Sequence, residues 1–132
     1  MSLLLDTHVL LWWLADSRRL SRAQLRALKE VSADSPAHVC DISLWEIATL
    51  AQLGRIRLTM PLREWLDNAI EPPWVELQAI SPAVATEVAA LPDSFHRDPA
   101  DRIIVATARV LGARLLTRDE SIIASGLVPV IA

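Results

Sequence analysis

The chain has 132 residues, 52% of them apolar, and a formal charge of −3. That is long enough for one domain, 1–132, with a real core and too apolar for disorder. The lone cysteine, Cys40, excludes a disulfide framework and a cysteine zinc site, and no apolar run approaches the ~18 residues of a membrane span.

Residues 2–6 read as a short buried strand ending in Asp6. That acid interrupts the apolar run too early for a secretory signal, so a reduced, cytoplasmic setting is expected. A helix over about 8–15 follows, apolar on every face. Asp16-Ser17 and Ser21 break the chain and cap a second helix over about 22–31. A second strand covers 37–42, and Ser43 opens a helix running to about Leu53, stopped by Gly54. The stretch 54–74 holds one helix or two, with Pro61 opening a helix over about 62–70 and Pro72-Pro73 ending it. A third strand spans Trp74–Ile80, and a helix runs from Pro82 to about Leu91. Asp98-Pro99 reads as N-cap and first residue of a long helix, 99–111, ended by Gly112. A fourth strand over 113–117, a short helix after Asp119 and a last strand over 128–131 complete the chain. Strands alternating with helices predict an α/β fold with a parallel sheet of four to five strands covered on both faces.

Open parallel sheets bind ligands beyond the carboxyl ends of their strands. Asp6 ends the first strand, Glu46 sits one turn into the helix after the second, Asp98 and Asp101 open the long helix, and Asp119 follows the fourth strand. Each has an ordinary explanation as a helix cap, and Ser43-x-x-Glu46 has the form of a capping box. Gathered on one edge, however, such acids repel each other, and a hard cation such as Mg²⁺ or Mn²⁺ offsets that repulsion. Such a site activates water and steadies the charge of a phosphodiester under attack.

A net charge of −3 argues against bulk electrostatic binding of nucleic acid. Yet twelve of the thirteen basic residues are arginines, which suit bidentate phosphate contact. Setting the five candidate acids aside leaves eleven acids against thirteen bases, a balance of +2. Arg18, Arg19, Arg97, Arg102 and Arg118 are the candidates for phosphate contact. His8, His38 and His96 lack zinc spacing; His38 reads as a core residue and His96 as a neighbour of the acids. Asp41 is left out because strand alternation turns it away.

Leu4-Leu5-Asp6-Thr7-His8-Val9-Leu10-Leu11-Trp12-Trp13 resembles the opening of PIN-domain ribonucleases, specifically VapC-type toxins of bacterial toxin–antitoxin pairs. Ser43-Leu44-Trp45-Glu46-Ile47-Ala48, the His96–Ala108 stretch and Leu115-Leu116-Thr117-Arg118-Asp119 resemble that family's later motifs, in order. The resemblance implies a three-layer α/β/α sandwich and a Mg²⁺- or Mn²⁺-dependent endoribonuclease. Asp6, Glu46, Asp101 and Asp119 would be its metal-binding and catalytic acids, with Thr7, Asp98 and Thr117 supporting them. RNA would be the substrate, with Arg97, Arg102 and Arg118 contacting it. A VapB-type antitoxin and a homodimer, or a larger complex with the antitoxin, are implied as partners. The chain departs from the pattern at Leu50, where this branch commonly has a lysine.

A phosphoryl-transfer fold of the receiver or haloacid-dehalogenase kind also sets acids at strand ends, but it needs a lysine near the phosphoryl group. The one lysine, Lys29, lies far from every motif. The same acids are also compatible with an inactive binding module and with a PIN nuclease of RNA processing that has no antitoxin. Two adjacent tryptophans on a helix point about 100° apart. The expectation is therefore that Trp12 or Trp13 lies against a second chain, in the family's case an apolar antitoxin helix.

Overall fold

The computed structural model describes residues 2–132. Five strands form one parallel sheet: β1 (Leu3–Leu5), β2 (Ala37–Cys40), β3 (Val75–Gln78), β4 (Arg114–Leu116) and β5 (Val130–Ile131), in the order β3-β2-β1-β4-β5. The helices are α1 (Thr7–Ala15), α2 (Arg22–Leu28), α3 (Asp41–Gln52), α4 (Leu62–Ala69), α5 (Pro82–Ala90), α6 (Pro99–Leu111) and α7 (Glu120–Ser125). One 3-10 turn, Ser17–Arg19, joins α1 to α2. No described helix is long and apolar enough to cross a membrane.

The period-two alternation of the strands builds two cores. Leu3, Leu5, Ala37, Val39 and Leu116 face α1, α2 and α4, where Val9, Leu10, Leu28 and Trp65 cover them. Leu4 and Leu115 point the other way, against Ile104, Val105 and Ala108 of α6 and Ile122 of α7. Strands buried on both faces are why these segments read as continuous apolar runs. Leu4, Leu5, Leu115 and Leu116 have no exposed surface, so truncating any one to Ala costs about 2–5 kcal/mol.

The long helix starts and stops where its sequence says. Asp98 accepts from the Asp101 N–H, Pro99 is the first helical residue, and Gly112 closes the helix at φ 63°. Only a glycine reaches that left-handed conformation cheaply. Stretch 54–74 contains one helix, not two, beginning directly after Pro61.

The start of α3 differs from the expectation. The helix begins at Asp41, immediately after β2, with no side-chain cap. Ser43 therefore lies inside the first turn, fully buried, and forms no capping box with Glu46. The chain passes from strand to helix without a loop, which carries Ser43 and Glu46 toward β1.

β1 lies at the centre of the sheet, paired in register with β2 on one side and β4 on the other. Its successor in sequence lies to one side, and the later strands β4 and β5 to the other. The chain thus changes direction at β1, the place where parallel sheets open a crevice at their carboxyl edge.

Candidate active site

Asp6 stands at that crevice. It follows β1 directly and is the N-cap of α1, so the capping role and a role in the site coexist. Its Oδ1 accepts from the Thr7 N–H at 2.8 Å, and its Oδ2 accepts from the Thr117 hydroxyl at 2.6 Å. The carboxylate is only 7% exposed, and burial pushes its pKa above the ordinary value.

Thr117 follows β4, beside Asp6 in the next strand. Its hydroxyl donates to Asp6 and accepts from the Asp119 N–H at 3.0 Å. Asp119 caps α7 through Oδ1 alone, taking the Ser121 N–H at 2.9 Å, the Ser121 hydroxyl at 2.7 Å and the Ile122 N–H at 3.1 Å. Partial burial works to raise its pKa, but these three donors outweigh it and hold the carboxyl below the usual range.

Thr7 performs the same service on the other side. Its hydroxyl donates to Glu46 Oε1 and lies 2.8 Å from Ser43 Oγ. Thr7 has one hydroxyl proton, and the carboxylate takes it, so Ser43 donates to Thr7. A relay Ser43–Thr7–Glu46 thus ties α3 to α1. Burial raises the pKa of Glu46, helped by the negative charge of Asp6.

Asp101 enters from the first turn of α6. His96 Nε2 lies 2.8 Å from its Oδ2; with Asp101 ionised, the ring nitrogen is the donor. Burial raises the Asp101 pKa to about 6 against that hydrogen bond, and the charges of Asp6, Asp98 and Asp119 add to the rise. Asp98 is exposed and holds the Asp101 backbone N–H through Oδ1 at 3.0 Å.

All five acids line one cavity of about 500 Å³, together with His8, Trp12, Arg19 and Arg118. The cavity therefore carries carboxylates and guanidinium groups in one space, the two kinds of group that a cation and a phosphate need. Arg19 lies 5.0 Å over the Trp12 ring, and Arg118 donates to the Arg19 carbonyl at 3.1 Å, so the two arginines are held together.

Carboxylate oxygens are hard donors, and Mg²⁺ is characteristically held by one or two of them with waters completing its shell. The donor set fits such an ion. Among the described residues, no three His, Cys, Asp or Glu side chains converge closely enough to share one ion. Asp6, Glu46, Asp101 and Asp119 are each held instead by a threonine, histidine or serine side chain.

One of the arginine expectations is corrected. Arg102 is 7% exposed and turned inward, donating to the carbonyls of Phe95 at 3.2 Å, His96 at 3.3 Å and Val88 at 3.4 Å. Its work is to pin the 88–96 segment to α6, and it does not line the cavity. Arg97 is exposed, lies 3.8 Å from Asp93 and does not line the cavity. Arg18 points to solvent beside Asp16 at 3.2 Å. His8 is the site residue that sequence reasoning misses. It lacks zinc spacing, but its place two residues after Asp6 and one helical turn before Trp12 puts it in the cavity wall, 5.8 Å from the Trp12 ring.

Asp41 does not line the cavity, though as the first residue of α3 rather than by strand alternation: its Oδ2 accepts from the Ile80 N–H at 3.3 Å, just beyond β3. His38 is largely buried and bonded to Gln78 at 2.9 Å. Leu50, at the position of the family's lysine, packs against the α1 core. Trp12 and Trp13 are both half-buried against that core, and the exposed large apolar residue of α1 is Leu14, at 47%.

The model of the PIN domain family matches residues 3–125. Over 119 residues the chain is 45% identical to Ribonuclease VapC22 of Mycobacterium tuberculosis (strain ATCC 25618 / H37Rv), covering 90% of this chain and 88% of that one. The chain belongs to the PIN-domain family, in its VapC branch. Solved structures repeat the fold. The VapBC2 complex of Rickettsia felis, bound to a DNA fragment from its promoter, superposes with a TM-score of 0.74 at 13% identity, covering 99% of this chain and 98% of that one. A toxin–antitoxin complex from Klebsiella pneumoniae gives 0.68 at 21% identity, with coverages of 99% and 97%. The expected PIN-like α/β/α sandwich, with its parallel sheet, is therefore the fold of this chain.

Proposed function

We propose that this VapC-type PIN domain is a Mg²⁺- or Mn²⁺-dependent endoribonuclease and the toxin of a toxin–antitoxin pair. The observation that carries the reading is the cavity itself, where Asp6, Glu46, Asp98, Asp101 and Asp119 share one space with Arg19 and Arg118. The relative's name, a ribonuclease, supports the reaction class.

Asp6, Glu46, Asp101 and Asp119 would hold the cation, some directly and the others through its bound waters, as the spread of their carboxylates requires. When bound, it supplies a water acidic enough to attack at neutral pH and a positive charge beside the phosphodiester. Thr117 and Thr7 fix the rotamers of Asp6 and Glu46 through hydrogen bonds. His96 orients Asp101, and Asp98 supports it from the helix cap. Arg118 and Arg19 contact phosphate oxygens of the RNA, bidentately where the guanidinium plane permits.

The solved neighbours are toxin–antitoxin complexes, which supports a VapB-type antitoxin here. The chain would act as a homodimer, enlarged when the antitoxin binds. Brief induction in a bacterial host, followed by sequencing of RNA 5′ ends, tests the reading. New ends at few sites, absent for Glu46→Gln and suppressed by the adjacent antitoxin, are the expected result. An unchanged end profile would overturn the nuclease, and cleavage indifferent to that partner would overturn the toxin role.

A further inference from the structure

A second hollow, of about 340 Å³, lies between the turn that follows α5 and helix α7. Phe95, which is buried, and the half-buried Leu127 give it an apolar lining, while Ser94 and Ser121 bring hydroxyls to it. The size is within the range of small-ligand sites, about 300–1,000 Å³.

Two of its lining side chains also belong to the acid site. His96 lines the hollow while its Nε2 lies 2.8 Å from Asp101 Oδ2. Ser121 lines the hollow while its hydroxyl donates to Asp119 Oδ1 at 2.7 Å. At both places one side chain separates the hollow from the carboxylates.

We propose that the hollow receives an unpaired nucleobase flanking the scissile phosphate, which makes it a base subsite for single-stranded RNA. The inference rests on the nuclease reading above. A nucleobase has an apolar face and a polar edge, and the hollow offers an apolar lining with hydroxyls and an imidazole beside it. A base held in a duplex has its faces stacked and its edge paired, whereas loops and single strands splay their bases outward.

The test uses a short oligoribonucleotide with a mapped cleavage site, assayed in single turnover with Mn²⁺. The base is removed in turn from each nucleotide flanking the scissile bond. Loss of the base on one side should slow the wild-type protein about tenfold, within the range that a single base contact supplies; loss on the other side should change little. Ala124→Trp fills the hollow from α7, and Ser94→Trp fills it from the turn. Both positions are exposed, and neither residue hydrogen-bonds an acid of the site. Each folded variant should cut the intact RNA about tenfold more slowly than wild type and no longer distinguish it from the abasic one. Equal cleavage of intact and both abasic RNAs by wild type overturns the subsite, as does full discrimination retained in a filled variant. No cleavage of any RNA by wild type overturns the nuclease reading instead, and the subsite with it. The abasic comparison needs no variant, so a misfolded substitution cannot shield the proposal.

Discussion

The Thr117 hydroxyl donates to Asp6 Oδ2 at 2.6 Å, joining the ends of β4 and β1 across 111 residues of sequence. The same oxygen accepts the Asp119 N–H, so one small side chain orients two acids from neighbouring strands. Thr117→Val keeps the shape and removes both bonds. It should cost about 1–3 kcal/mol of stability, because a buried carboxylate oxygen loses its donor. RNA cleavage should fall with it, and Thr117→Ser should restore most of both. Melts beside cleavage rates check this; a Val variant with wild-type values would mean the hydroxyl holds nothing.

Stability without metal should depend on pH through Asp101. Its pKa in the fold is about 6 against an ordinary 3.8. The folded chain therefore binds this proton before the unfolded chain does, and folding is favoured as pH falls through that window. In EDTA the Tm should rise by about 3–5 °C from pH 7.5 to 5. Asp101→Asn should make the profile shallower, the raised carboxyls of Asp6 and Glu46 keeping part of the slope. Asp119, held low, acts in the opposite direction only below about pH 4. With Mn²⁺ present the trend should reverse, since protons then compete with the ion. A Tm that falls in EDTA over the same range would contradict a buried Asp101 carboxyl raised in this way.

The arginines divide into two classes that one pair of variants separates. Arg118→Gln should weaken RNA binding and reduce its salt dependence by roughly one contact, leaving the melt unchanged. Arg102→Gln should destabilise the fold by about 2–3 kcal/mol, because three carbonyls, that of Phe95 buried and those of His96 and Val88 partly so, lose a charged donor. Filter binding across a salt series and a denaturant titration decide it. An Arg102 variant that melts normally but fails to bind RNA would return that residue to the RNA-contacting set.

Where those arginines go shows what the sequence carries and what it does not. Asp98-Pro99 and Gly112 bound α6 by local chemistry alone, so that helix is legible residue by residue. Asp6 and Asp119 are legible because they follow β1 and β4, and Glu46, Asp98 and Asp101 because they lie in the opening turns of helices, which a parallel sheet delivers to the same edge. Arg102 misleads because its burial depends on the return of the 88–96 segment over α6, a contact between chain segments that no periodicity encodes. Ser43 misleads for a related reason. Its spacing to Glu46 has the form of a capping box, but the helix starts at Asp41, and tertiary contact with Thr7 takes both side chains. The hollow beside Phe95 leaves no trace in sequence, since it is the space between two elements.

Helix α1 gives a prediction about the partner. Trp12 and Trp13 are half-buried against the core, and Leu14 is the large apolar residue left in water, lining a groove with Leu58 and Met60. Trp13→Ala should therefore lose about 3 kcal/mol or more of stability. Leu14→Arg should leave the melt intact and weaken antitoxin binding more than tenfold, or about 1.4 kcal/mol. Trp12→Ala should reduce both, since that ring touches the core and the acid cavity. A binding isotherm and a melt for each variant check the assignment; Leu14→Arg with wild-type affinity would remove α1 from the interface.

The most direct measurement is a calorimetric Mn²⁺ titration of the purified protein and of Asp6→Asn, each followed by an RNA cleavage assay with Mn²⁺ or EDTA. Wild type should bind Mn²⁺ and cut RNA only when it is present. Asp6→Asn should lose most of both while melting at or above the wild-type temperature in EDTA, because a neutral amide relieves the repulsion among the acids. Wild-type cleavage by Asp6→Asn, or cleavage undiminished in EDTA, would contradict a carboxylate-held metal at this edge of the sheet.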